Sequence, residues 1–104
     1  MADLNLRREH DLGLARARNV ARQWAGQVEN KLEMACTLVP GEEQDVLEFR
    51  RPGVDGRMIV AATHFDLEAT LGMMFRPFLG MIEAEAAKQL DAALAKEARA
   101  PAVK

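Results

Sequence analysis

The stretch RMIVAATHFDLEATL, residues 57–71, decides the fold. Met58, Val60 and Ala62 share one parity while Phe65, Leu67, Ala69 and Leu71 share the other, so a single strand cannot turn them all to one side. A hairpin reconciles them. A turn around Thr63 and His64 sets Ala62 opposite Phe65, Val60 opposite Leu67 and Met58 opposite Ala69, gathering the apolar side chains on one face. The same pairing sends Arg57, Asp66, Glu68 and Thr70 outward, the division expected of an antiparallel sheet covered on one side only. Thr-His is a poor two-residue turn, and a four-residue loop preserves the same parity.

The remaining elements follow from their periods. Residues 2–10 alternate, with Leu4 and Leu6 opposed to Asp3, Asn5, Arg7 and Glu9, and form β1. Over residues 13–33, Leu14, Ala17, Val20, Ala21, Trp24, Val28 and Leu32 recur at helical spacing and make α1, whose other face carries Arg16, Arg22 and Glu29. Residues 34–39 alternate again as β2 until Pro40-Gly41, and an acidic loop at Glu42 and Glu43 leads to β3 at residues 46–51. Pro52-Gly53 and Asp55-Gly56 read as two turn signals in one connection, ahead of the two arms of the hairpin, β4 and β5. Gly72 closes β5, and residues 75–97 return to helical spacing as α2, with Phe75, Phe78, Leu79, Ile82, Ala86, Leu90, Ala93 and Leu94 in one stripe and Pro77 in the first turn. Residues 1–98 make one domain, and residues 99–104 read as a frayed tail.

The order β-α-β-β-β-β-α predicts an α+β two-layer sandwich: a five-stranded antiparallel sheet, β2-β3-β4-β5 with β1 beside β5, covered on one face by two helices. Five strands at ~4.8 Å make a sheet ~24 Å wide, which two helices of ~10 Å diameter cover. A 23-residue helix spans ~34 Å against ~23 Å for a seven-residue strand, so the end of α2 is expected to overhang, with Leu90 and Leu94 either available to a partner or a second copy or packed against α1 within the chain. On the open sheet face, Val46 and Ile59, with Val39, add apolar character to the same expected interface.

Composition excludes more than it assigns. The 104 residues are 49 % apolar and 29 % charged, a globular balance. Fourteen Lys and Arg against sixteen Asp and Glu leave a net charge of −2, and one Trp with no Tyr gives no stacking platform, so nucleic acid is not an expected partner. The longest apolar run, residues 58–62, is far short of a spanning helix of ~20 residues. One Cys and the absence of a basic-then-apolar N-terminal segment point to a cytoplasmic protein.

Candidate chemistry is sparse. His10 and His64 lack metal-ligand spacing, and Cys36 lies at a core-facing parity with no neighbouring base, so neither a metal nor a catalytic thiolate is expected. Asp66, Glu68, Glu83 and Glu85 read as solvated carboxylates. Arg16, Arg18 and Arg22, and separately Arg50, Arg51 and Arg57, form two candidate cationic surfaces. Trp24, Met34, Phe49, Met58, Phe65, Met74 and Phe78 are expected either to pack as core or to line an apolar cavity between sheet and helices. No phosphate loop, serine elbow or nucleotide fingerprint occurs, so no enzymatic activity and no cofactor is expected.

Several short motifs, in order, resemble the polyhydroxyalkanoic acid system protein family. They are Arg8-Glu9-His10, Trp24-Ala25 with Val28-Glu29 and Lys31, Met34 with Cys36-Thr37, Gly53-Val54-Asp55-Gly56, His64-Phe65-Asp66-Leu67, Leu71-Gly72, and Ile82-Glu83-Ala84-Glu85 followed by Leu90-Asp91. The resemblance spans residues 2–96; where family members tend to have Lys-Gly early in α2, this chain has Leu79-Gly80. It implies a small bacterial protein from gene regions for storage-polyester metabolism, with a reduced helix-grip, START-like fold and no catalytic residues to carry over. The function so implied is that of a non-enzymatic accessory protein at polyester granules, binding the granule surface or a granule protein; the alternative is a binder of an acyl or other apolar ligand between sheet and helices.

Overall fold

The apolar faces of five strands and the stripes of two helices meet in one layer, as their periods require. The structure, a computed structural model, describes residues 3–99. In it β1 is Leu4–Glu9, α1 Leu14–Leu32, β2 Ala35–Val39, β3 Gln44–Arg51, β4 Val54–Ala61, β5 His64–Leu71 and α2 Leu79–Arg99, the last preceded by a 3-10 turn at Arg76–Phe78. All strand pairs are antiparallel, in the order β1-β5-β4-β3-β2. This is the expected α+β class and the expected strand order. α1 lies over β2, β3 and β4, whereas α2 lies over β1 and runs along α1. Residues 1–2, expected at the start of β1, and 100–104, expected in the tail, lie outside the described residues.

Local differences have physical causes. In the β4–β5 hairpin Val60 pairs with Phe65 and Met58 with Leu67, a register two residues from the expected one. An even shift leaves the paired side chains on their faces, but Ala62, expected inward opposite Phe65, falls in the turn and is exposed. The turn moves to Ala62 and Thr63, whose carbonyls accept hydrogen bonds from Gly13 N–H at 3.1 Å and His10 N–H at 2.9 Å, tying the start of α1 to the hairpin tip. Asp55-Gly56 is not a turn; it lies inside β4, and Pro52-Gly53 alone reverses the chain, with Gly53 at φ 88° as that turn demands. Gly56 is needed for space instead. It faces Phe49 across the ladder, and a Cβ there would fall 2.4 Å from the Phe49 ring.

The expected overhang of α2 does not occur. α2 runs antiparallel to α1 and is of similar length, 21 residues against 19. Trp24 Nε1–H donates to the Ala86 carbonyl at 3.0 Å, and Arg16 Nε donates to Glu97 Oε2 at 3.1 Å at the far end of the seam. Leu90 is consequently 0 % exposed and belongs to the core, with Leu94 half-buried against it. The length comparison that placed Leu90 in solvent set α2 against a strand; the element it packs along is another helix.

β3 begins earlier than its apolar alternation implied because an acid occupies a core-facing site. Asp45 is 0 % exposed; Arg18 Nε and Nη2 donate to its carboxylate at 2.7 and 3.1 Å, and Gly41 N–H donates at 3.0 Å. The Arg18 hydrogen bonds hold the Asp45 carboxyl below the usual carboxylate range. A carboxylate whose folded pKa lies below its unfolded value of about 3.9 contributes stability that is complete above that value and is lost as pH falls through the folded pKa. Asp45→Asn is expected to cost about 1.5–3 kcal/mol at neutral pH, with the deficit shrinking on acidification to about pH 3. Urea midpoints of both proteins at the two pH values check this; a deficit that does not shrink refutes it.

Candidate functional site

Among the described residues, four of the five exposed large apolar side chains lie between β5 and the first turn of α2, and the local structure explains how. Gly72 N–H donates to the Gly53 carbonyl at 2.7 Å, joining this connection to the β3–β4 turn. Phe75 N–H and Arg76 N–H then return to the Gly72 carbonyl at 2.9 and 3.1 Å, which winds residues 72–76 into a tight turn. The Phe75 ring fills the space over Gly53, where a Cβ would meet it at 2.5 Å, and the Arg51 guanidinium lies 4.9 Å over the same ring. Arg51 Nη1 also donates to the Leu32 carbonyl at 2.8 Å, linking the end of α1 to the cluster. On the other side Leu71 N–H donates to Asp3 Oδ2 at 2.9 Å, and Arg76 Nη2 lies 3.6 Å from Asp3 Oδ1.

With Phe75 clamped inward, its neighbours are left outside. Met73 is 88 % exposed, Met74 84 %, Met81 63 % and Phe78 50 %. Beside them a groove of about 230 Å³ runs between Leu32, Met34, Val54, Phe75, Phe78, Met81 and Ile82, with Lys31 and Arg51 at its rim. Single exposed apolar side chains are ordinary, but four large ones gathered on one anchored segment mark an interaction surface. Methionine suits such a surface because its unbranched thioether adapts to irregular apolar neighbours.

The structure thus divides the residues expected to act together. Trp24, Phe49, Met58, Phe65 and Met34 are buried, and Trp24 meets Phe49 edge-on with centroids 5.3 Å apart. Trp24, Met34 and Phe49 line a cavity of about 10 Å³, no larger than the volume one water needs. Met74 and Phe78, expected in that lining, stand outside it: Met74 sits in the turn closed on the Gly72 carbonyl, and Phe78 ends a 3-10 turn that precedes α2. Val46 and Ile59 are direct cross-strand neighbours, with Val39 opposite Val46, and form a half-exposed apolar row on the open sheet face. Next to this row a polar groove of about 500 Å³ holds Glu48, Arg50, Asp55, Arg57, Glu68 and Thr70. Within it Arg57 pairs with Glu68 at 3.1 Å and Arg50 with Asp55 at 3.5 Å.

The two expected cationic surfaces dissolve in the same way. Arg16 pairs with Glu97 and Arg18 with Asp45, while Arg51 is spent on Phe75 and the end of α1. Burial, and secondarily Glu29, pushes the Cys36 thiol up to about 11, so it is protonated at neutral pH. His10 stacks on Phe65 with centroids 4.7 Å apart, its Nδ1 accepts from Leu12 N–H at 3.1 Å, and burial lowers its pKa. Among the described residues no three of His, Cys, Asp and Glu come together as metal ligands, and no helix is long and apolar enough to cross a membrane.

Sequence reasoning missed Met73 and Met81. A signal was present: Met73-Met74-Phe75 is a run with no polar alternation after a strand-ending glycine, so not all of it can face inward. A family model described as "Putative polyhydroxyalkanoic acid system protein" matches residues 4–94. No curated protein and no solved structure matches the chain.

Proposed function

The chain belongs to the polyhydroxyalkanoic acid system protein family, and on that premise we propose that it is a non-enzymatic accessory protein of storage-polyester metabolism, acting in the cytoplasm and seated on the polyester granule through Met73, Met74, Phe78 and Met81. The observation that carries this reading is the exposure of those four side chains on one anchored segment. A polyester surface offers methylene and ester groups and little charge. Removing one large apolar side chain from water is worth up to about 1.5–3 kcal/mol, so four in partial contact supply an attachment of several kcal/mol.

Cosedimentation with washed polyhydroxybutyrate granules tests this. The wild-type protein is expected to sediment with the granules and to remain there in a high-salt wash, because apolar contacts are not screened. Met73→Glu with Met74→Glu is expected to lower the bound fraction at least tenfold while leaving the unfolding midpoint nearly unchanged, since both side chains already lie in solvent. Wild-type protein found only in the soluble fraction, or a double variant that binds equally well, overturns the proposal.

A further inference from the structure

The two edges of the sheet are unlike. β1, at one edge, carries Arg7, Arg8 and Glu9 and has α2 against it. β2, at the other, reads Ala-Cys-Thr-Leu-Val, with no charge and no proline, and its side away from β3 is open. Charge and proline are the usual means of protecting an edge whose unpaired backbone groups would accept another strand. Above β2 runs one flank of α1, formed by Arg22, Ala25, Gly26 and Glu29, which bounds with Cys36 and Leu38 a groove of about 200 Å³. Cys36 Sγ lies 3.9 Å from the Ala25 carbonyl, so the middle of β2 lies under the middle of this flank.

Three features of the flank are little used within one chain. A Cβ at Gly26 would meet nothing within 4 Å, although glycine inside a helix costs about 0.5–1 kcal/mol relative to alanine. Arg22 makes a 3.5 Å hydrogen bond to Asn19 and otherwise acts on Asp45 only through its charge, as the last of the causes that lower that carboxyl's pKa. Among the described residues neither Arg22 nor Glu29 is in an ion pair.

We propose that the protein forms a homodimer by antiparallel pairing of β2 with β2 of a second copy, continuing the sheet across the pair and joining Arg22 of each α1 to Glu29 of the other. A two-fold axis normal to the sheet keeps all the helices on one face and requires one residue of β2 to lie opposite its own copy. Thr37, the middle of Ala35–Val39, gives the longest overlap, with Ala35 opposite Val39 and Cys36 opposite Leu38. Cys36 and Leu38 both face α1, so the exchange keeps apolar against apolar. The same axis sets the two α1 helices antiparallel. Arg22 and Glu29 lie equally far from the point between Ala25 and Gly26, so each reaches the other's level, and Gly26 leaves room at the crossing. Strand register and helix charge therefore specify the same two-fold arrangement. The inference does not depend on granule attachment, whose residues lie on another surface.

Sedimentation velocity of the full chain over a concentration series tests it. Wild-type protein is expected to pass from 11.5 kDa to twice that mass with a dissociation constant on the order of 10 µM, in keeping with a small interface. Gly26→Leu, which has open space in the single chain, is expected to weaken the dimer at least tenfold without loss of folded-state stability. Arg22→Glu is expected to weaken it about tenfold by placing like charges together, and adding Glu29→Arg to restore it to within about threefold. Thr37→Cys in a Cys36→Ser background is expected to give a covalent dimer on mild oxidation. A wild-type chain that stays monomeric up to about 1 mM, or a dimer indifferent to Gly26→Leu that Thr37→Cys does not cross-link, overturns the proposal.

Discussion

Trp24→Ala is expected to destabilise the protein by about 3–5 kcal/mol and to lower the melting temperature by about 12 °C or more. Trp24 is the largest fully buried side chain, and it joins all three parts of the fold. It projects from α1, its ring edge meets Phe49 of β3, and its N–H donates 3.0 Å to the Ala86 carbonyl of α2. Truncation leaves a cavity against both partners and strips a buried carbonyl of its side-chain donor. Trp24→Phe should fall between, keeping part of the ring contact and losing the hydrogen bond. Urea unfolding monitored by circular dichroism measures both. A loss under about 1.5 kcal/mol for the alanine variant would mean a yielding interior, and would revive the reading of that space as a ligand pocket.

Gly56→Val is expected to prevent stable folding, and Gly56→Ala to cost about 2–3 kcal/mol. The added Cβ falls 2.4 Å from the Phe49 ring and 2.8 Å from the Glu68 carbonyl. The ring is pressed from its other side by Trp24, and the carbonyl belongs to the strand that pairs with β4, so neither yields freely. Shrinking the ring should relieve part of the strain: Phe49→Leu with Gly56→Ala is expected to be more stable than the two single losses added together, with a coupling of about 1 kcal/mol or more. Strict additivity, or a Gly56→Ala variant as stable as wild type, would show that the close packing of Phe49 on Gly56 does not constrain the fold.

Both expectations concern residues whose identity was plain in the sequence and whose neighbours were not. Asp55-Gly56 looks like a turn because glycine is common where φ is positive, yet of the two candidate turn glycines only Gly53 has that conformation. Gly56 serves the other use of glycine, close approach, which depends on a residue of the next strand. Leu90 shows the same limit. Its place on the α2 stripe was legible, but whether that part of the stripe met solvent, the sheet or α1 was not, and α1 lies there. At the candidate site, Phe78 was read as part of the α2 stripe because the helical period was extended back through Pro77, and the separate 3-10 turn leaves it half-exposed; Met74, expected beside it, sits in the turn closed on the Gly72 carbonyl and is exposed. Val46 and Ile59 fared better, since cross-strand pairing alone makes them neighbours.

By itself the sequence determined the inward and outward faces of the paired strand residues, most of the buried stripe of each helix, the hairpin within residues 57–71 and, through the shortness of the connections, the run β2-β3-β4-β5 across the sheet. These follow from the fixed periods of strand and helix, which set a side chain's direction relative to its own element. The tertiary structure alone decided the two-residue hairpin register, the antiparallel seam that takes in Leu90, the ring stacked on Gly56 and the outward thrust of Met73, Met74, Phe78 and Met81. Each of these depends on what stands opposite a side chain once its direction is set, and that is a property of how whole elements dock.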